Sequence, residues 1–168
     1  MSGNIIVDSS GVFFFKGKKY RCALGKGGVR IDKQEGDGAT PIGCFPVRKV
    51  FYRPDKFEKA PQTAFPTVPL SQDDGWSDDV DLPEYNTLVK LPYNGSHEKL
   101  WRDDHLYDVI MVLGYNDNPP VAGKGSAIFI HIARDGYTPT AGCIALSKED
   151  LLEILRTVDI ATRVCIQE

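Results

Sequence analysis

The chain has no Cys-x-x-Cys pair. Its four cysteines, Cys22, Cys44, Cys143 and Cys165, stand far apart, which excludes a zinc ribbon and a thioredoxin-like redox motif. It also lacks an excess of positive charge. With 20 Lys and Arg against 23 Asp and Glu the formal net charge is -3, and the basic residues are scattered rather than gathered into the footprint a nucleic acid requires. No apolar run approaches the roughly 20 residues of a membrane span, and the opening MSGNIIVD carries no basic leader before an apolar stretch. Neither nucleic acid nor membrane is therefore an expected partner. The expected location is the cytoplasm, where all four cysteines would be free thiols, with Cys22 and Cys165 as small core residues in apolar strands.

What is present reads mostly as strands. A chain of 168 residues, 42% hydrophobic and 26% charged, suits a single domain spanning 1–168 that buries about 70% of its unfolded surface. "NIIVD", "GVFFF" and "KKYRCAL" are short β-prone runs separated by turns, an antiparallel meander. "GKGG" at 25–28 lacks the spacing and the Lys-Ser/Thr of a phosphate loop and reads as a hairpin turn. "EGDGATPIGCFPV" is a turn-rich connector into a strand, and six prolines between 53 and 100 make that stretch an irregular excursion over one face. "HLYDVIMVLGYN" and "SAIFIHIA" have too little polar alternation to be half-exposed strands, so both are expected to be buried. One helix follows: Ser147 caps it, Leu146 and Leu151 staple it, and Leu151, Ile154, Leu155 and Val158 form its apolar stripe. "TRVCIQE" closes the chain as a strand. Many strands and one short helix predict a mainly β sandwich or barrel with long surface loops.

The chemistry concentrates in "IFIHIARDGYTPTAGCIALS", residues 128–147. Strand alternation turns residues 128, 130 and 132 to one side and Phe129 and His131 to the other, so His131 projects from a rigid support. Gly136 and Pro139 let the following loop return Cys143 to the end of that strand. A thiol of ordinary pKa, about 8.5, is mostly protonated at neutral pH, and an adjacent imidazole favours the thiolate by pairing with it as imidazolium. Gly142 lets backbone amides approach a substrate carbonyl as an oxyanion hole. The helix start near Ser147 is about 13 Å of extended chain from Cys143, too far for its dipole to activate the thiol. Two other readings stay open at this level. His131 and Cys143 could both be core residues, or part of a zinc site completed by His97, His105 or acids at unmotivated spacing.

The spelling is more specific than the pattern. "IFIHIA" followed by "TAGCIAL" resembles the signature of the L,D-transpeptidase (YkuD-like) catalytic domain, and "DGATPIGCF" is similar to its Thr-Pro-x-Gly-x-Phe element. "LWRDDHLYDVIMVLGYN" resembles a compact branch of the family without a signal peptide, so the likeness spans roughly residues 3–166. It implies the family's β-sandwich-like barrel, with Cys143 as nucleophile and His131 as base. The Ile132 carbonyl would orient the imidazole, Gly142 and Cys143 would supply oxyanion amides, and Thr140 would shape the pocket. No cofactor or metal is implied. Three departures stand out: Ala145 where arginine is common, Ala141 where histidine is frequent, and a shorter interval from His131 to Cys143.

The implied substrates are peptidoglycan stem peptides or muropeptides, cleaved between diaminopimelate and D-alanine through a thioester. Recognition of so many carboxylates points first to Arg102, then to Arg134, with His97 and Tyr107 as further candidates for the same cleft. Without an export signal, water is the expected acceptor, which makes the chain a cytoplasmic L,D-carboxypeptidase of murein recycling. The alternatives are transpeptidation or D-amino-acid exchange, a cysteine hydrolase acting on another amide, and a non-catalytic binding module marked by a blocked Cys143 or a distant imidazole.

Overall fold

The computed structural model describes residues 3–168. The chain begins as the expected meander, β1 (Ile5–Val7), β2 (Val12–Phe15) and β3 (Lys18–Arg21). There follow β4 (Val29–Arg30), β5 (Thr40–Pro41), the long β6 (Gly43–Tyr52), β7 (Thr67–Pro69), β8 (Asp74–Ser77), β9 (Leu88–Lys90) and β10 (His97–Lys99). The second half contains β11 (Val109–Leu113), β12 (Phe129–Ile132), β13 (Ile144–Leu146), the helix α1 (Lys148–Thr157) and β14 (Arg163–Ile166). The main sheet runs β13-β12-β11-β6-β14-β1-β2-β3, with β7 added beside β6. Its two ends meet: just after β3, Ala23 exchanges both backbone hydrogen bonds with Ala145 of β13, at 2.8 and 3.0 Å. That bridge turns the sheet into a barrel, the architecture expected of a strand-rich chain that must hide its edges.

Strand alternation divides the core in two. Val109, Met111 and Leu113 of β11 and Ile130 and Ile132 of β12 face one cluster, which also takes Leu151, Ile154 and Leu155 from α1. At about 2 kcal/mol for each fully buried aliphatic side chain, this stripe is what holds a ten-residue helix that would be marginal alone. Ser147 caps it by accepting from the Asp150 amide at 3.1 Å. The other faces of β11 and β12, through Ile110, Val112 and Phe129, form a second cluster with Trp76, Leu100, Tyr107 and Cys143.

Three sequence expectations need correction. Residues 53–100 are more ordered than their prolines suggest, because β8, β9 and β10 form a small antiparallel sheet that covers the second cluster. "GKGG" is a tight turn, closed by the Gly28 amide on the Gly25 carbonyl at 2.9 Å. It joins strands of different sheets rather than a hairpin, since β4 pairs in parallel with β5. Finally, Cys44 and Cys165 are not free thiols. They are register partners on β6 and β14 and form a disulfide; Cys22 and Cys143 stay free and buried.

Candidate active site

Two upstream segments fix the turn that carries Cys143. Leu24 and Lys26 bond the Thr140 backbone at 2.9 and 2.8 Å. The buried Thr40 hydroxyl accepts from the Gly25 amide at 3.0 Å and donates to the Gly142 carbonyl at 2.8 Å. Since a peptide unit is planar, with its C=O and N–H opposed, Thr40 also sets the direction of the Cys143 amide, which has no hydrogen-bond acceptor among the described residues. Gly142 is required twice over. Its φ is +139°, and a Cβ there would stand 2.9 Å from the Ala39 carbonyl oxygen.

Of the two amides expected to form an oxyanion hole, only one is free to donate. The Gly142 N–H donates to the Thr140 hydroxyl at 3.1 Å, and that hydroxyl donates to the Cys143 carbonyl at 2.6 Å. Thr140 therefore braces the turn that carries Cys143 as well as lining the cavity beside His131, and the Cys143 amide is the free donor.

His131 stands on β12, whose parallel register with β13 sets Ala145 beside it. Cys143, just before β13, reaches the neighbouring position, where its Sγ accepts from the Phe129 amide at 3.4 Å. Imidazole and thiol thus lie on one face, beside positions two residues apart on β12. They are not hydrogen-bonded to each other: the thiol donates to the Ala127 carbonyl at 3.2 Å, and His131 Nδ1 donates to the Ile132 carbonyl at 2.9 Å. A carbonyl only accepts, so Nδ1 carries the proton and Nε2 has the free lone pair of a general base.

The electrostatics correct the expected ion pair. Burial pushes the Cys143 thiol up to about 12, and the Glu98 carboxylate adds to the shift. Burial pushes His131 down to about 4 despite the Ile132 carbonyl, and the positive charges of Arg102 and Arg134 help. The resting pair is a neutral thiol and a neutral imidazole. This arrangement suits proton removal during attack rather than a standing thiolate.

Beside His131 is a cavity of about 190 Å³ whose walls include Glu98, Arg102, Tyr107, Arg134, Thr140 and Ala145. A larger cleft, about 520 Å³, lies beyond Arg134 and reaches the start of α1 without touching His131, and the buried Cys143 lines neither space. Arg102 is held bidentately by Asp104 at 2.9 and 2.6 Å. Arg134 has no carboxylate partner among the described residues and borders both spaces. Tyr107 sets its ring edge-on to His131, centroids 5.2 Å apart, and its hydroxyl donates to Glu98.

His97 does not belong to this cleft. It packs edge-on to Tyr93 and bonds the Gly95 carbonyl at 2.9 Å. Neighbours on a strand face opposite ways, so it is Glu98 that β10 turns into the cavity.

A family model for the L,D-transpeptidase catalytic domain, YkuD, matches residues 4–166. The chain belongs to that family. A search of curated proteins finds no match. Among solved structures the chain is similar to Mycobacterium tuberculosis L,D-transpeptidase 1, at 12% identity and a TM-score of 0.44, covering 99% of this chain and 62% of that one. The chain thus spans less than two thirds of that structure's length.

One departure from the L,D-transpeptidase spelling has a structural consequence. Ala145 is 1% exposed and lies in the cavity wall and the barrel-closing bridge, so a long cationic side chain there would fill the space beside His131. A cation reaches the nucleophile turn from elsewhere. The Lys33 ammonium, buried and paired with Asp37 at 2.9 Å, lies 3.6 Å from where a Gly142 Cβ would be, and it opposes the rise of the Cys143 pKa. Nothing in the polar run "IDKQEGDG" marks Lys33, whereas Thr40 lies inside the quoted "DGATPIGCF".

Proposed function

We propose that the chain is a cysteine acyl-transfer enzyme that removes D-alanine from peptidoglycan tetrapeptide stems, an L,D-carboxypeptidase. Cys143 attacks the carbonyl of the diaminopimelate residue, His131 Nε2 takes the thiol proton, and the Cys143 amide receives the developing oxyanion. D-alanine leaves with a proton returned from His131, and water resolves the thioester. The observation that carries the choice of water is the size of the cavity. At about 190 Å³ it is below the usual range for ligand sites, which favours an acceptor as small as water beside His131 over a second stem peptide. Arg134, which has no carboxylate partner among the described residues, is the candidate to hold the terminal carboxylate.

The test is incubation of a disaccharide tetrapeptide with and without an amine acceptor, followed by mass analysis. Loss of one alanine by the wild type, and none by Cys143→Ala, is the expected result; products joined to the acceptor would replace hydrolysis by transfer. Transfer has its own support in the larger cleft that shares Arg134. A binding module has support in the burial of the thiol, 8% exposed, and predicts no turnover and no thioester.

Thr40→Val keeps the shape of the side chain but leaves the Gly25 amide and the Gly142 carbonyl unpaired in the interior. It is expected to cost about 2–4 kcal/mol in urea unfolding and to lower kcat about tenfold or more while KM changes little, because the oxyanion donor loses its direction. An unchanged kcat would remove Thr40 from the account. Action in the cytoplasm forms part of the proposal, and the Cys44–Cys165 disulfide counts against it, since disulfides persist in oxidising compartments. Four titratable thiols in freshly isolated protein support that location; two support an oxidising one.

A further inference from the structure

Glu98 poses a physical problem that the acyl-transfer reading does not use. Its carboxylate borders the cavity beside His131 and accepts from the Tyr107 hydroxyl, yet no cation pairs with it among the described residues. Arg102, on the same wall, is committed to Asp104. A negative charge here opposes the thiolate that attack requires, and it is the largest cause after burial of the raised Cys143 pKa. Burial also lifts the Glu98 carboxyl itself above its ordinary range. A half-buried carboxylate that hinders the nucleophile, with only the Asp104-paired Arg102 as a more distant positive charge, is poorly matched within the site, and a cation brought by the ligand would match it.

We infer that Glu98 is a specificity residue that recognises an ammonium group on the acyl donor, close to the carbonyl under attack. The inference deepens the proposed function and depends on it. The bound ammonium neutralises Glu98, so the penalty on the thiolate is relieved only when the right donor is present. Arg134 and Glu98 then read opposite charges on one substrate, a carboxylate and an amine. The Tyr107 hydroxyl holds the Glu98 carboxylate in place and leaves its other oxygen for the ammonium.

Two stem tetrapeptides test this, one with the free side-chain amine of its diamino acid and one with that amine acetylated, each assayed for D-alanine release by wild type and Glu98→Gln. Wild type is expected to prefer the free amine by about 30-fold or more in kcat/KM. Glu98→Gln, which still accepts from Tyr107, is expected to lose activity on the free amine alone, narrowing the preference to within about threefold. Equal use of both donors by the wild type overturns the inference and leaves the proposed function standing. Equal slowing of both donors by Glu98→Gln also overturns it, in favour of a purely structural bond to Tyr107. Release from neither donor by the wild type overturns the functional reading and this inference together. The wild-type comparison needs no variant, so it decides even where Glu98→Gln fails to fold.

Discussion

Cys143→Ala is expected to reduce D-alanine release by at least about 10⁴-fold in kcat, because it removes the proposed nucleophile from the face of β12 that presents His131. The fold should survive. The substitution removes only the thiol's contacts with the Ala127 carbonyl and the Phe129 amide, each worth about 1 kcal/mol or less for a weak sulfur donor and acceptor. A circular-dichroism spectrum and urea midpoint close to wild type, with the activity gone, would assign the loss to chemistry. Retention of even one hundredth of wild-type kcat would exclude Cys143 as the nucleophile.

His131→Gln is expected to lower kcat by about 10²–10⁴-fold, since glutamine can donate to the Ile132 carbonyl but cannot take the thiol proton. The same residue controls two pH dependences. With the imidazole held at about 4, the acid limb of wild-type kcat/KM should fall near pH 4 rather than near the ordinary 6.5. Stability has the corresponding sign. Between about 4 and 6.5 the unfolded chain binds the histidine proton more readily than the folded one, so folding is weakened as pH falls through that window and is unaffected by His131 above it. The full contribution is on the order of 3 kcal/mol. Urea unfolding of wild type and His131→Gln at pH 7 and pH 4.5 isolates it, because the remaining groups titrate alike in both. Equal pH sensitivity in the two proteins would show that the imidazole is not desolvated.

Most of the fold was legible in the chain because its signals are local. Alternation on "SAIFIHIA" assigned Ile130 and Ile132 to one side and Phe129 to the other, and the two core clusters divide there. Ser147 with its leucines placed the helix within the range observed. The stretch 53–100 was less legible, because its small sheet depends on pairing between short strands, which composition and prolines do not reveal. Cys44 and Cys165 lie 121 residues apart, and only the β6–β14 register makes them neighbours.

The residue types at the centre of the site, one histidine on a strand and one cysteine after a glycine, are determined by the sequence alone, and so is the family they spell. Tertiary structure decided the state of those groups and what surrounds them. Burial, which depends on every element packed over the site, makes the pair neutral where exposed groups would form an ion pair. Strand parity gave the cavity Glu98 instead of His97, a difference of one residue that depends on how β10 pairs with β8. Thr40 and Lys33 act on a turn about a hundred residues away because the barrel brings the segments around Thr40 and Gly25 against Gly142. Backbone hydrogen bonds closed between distant segments leave no local pattern from which such contacts can be read.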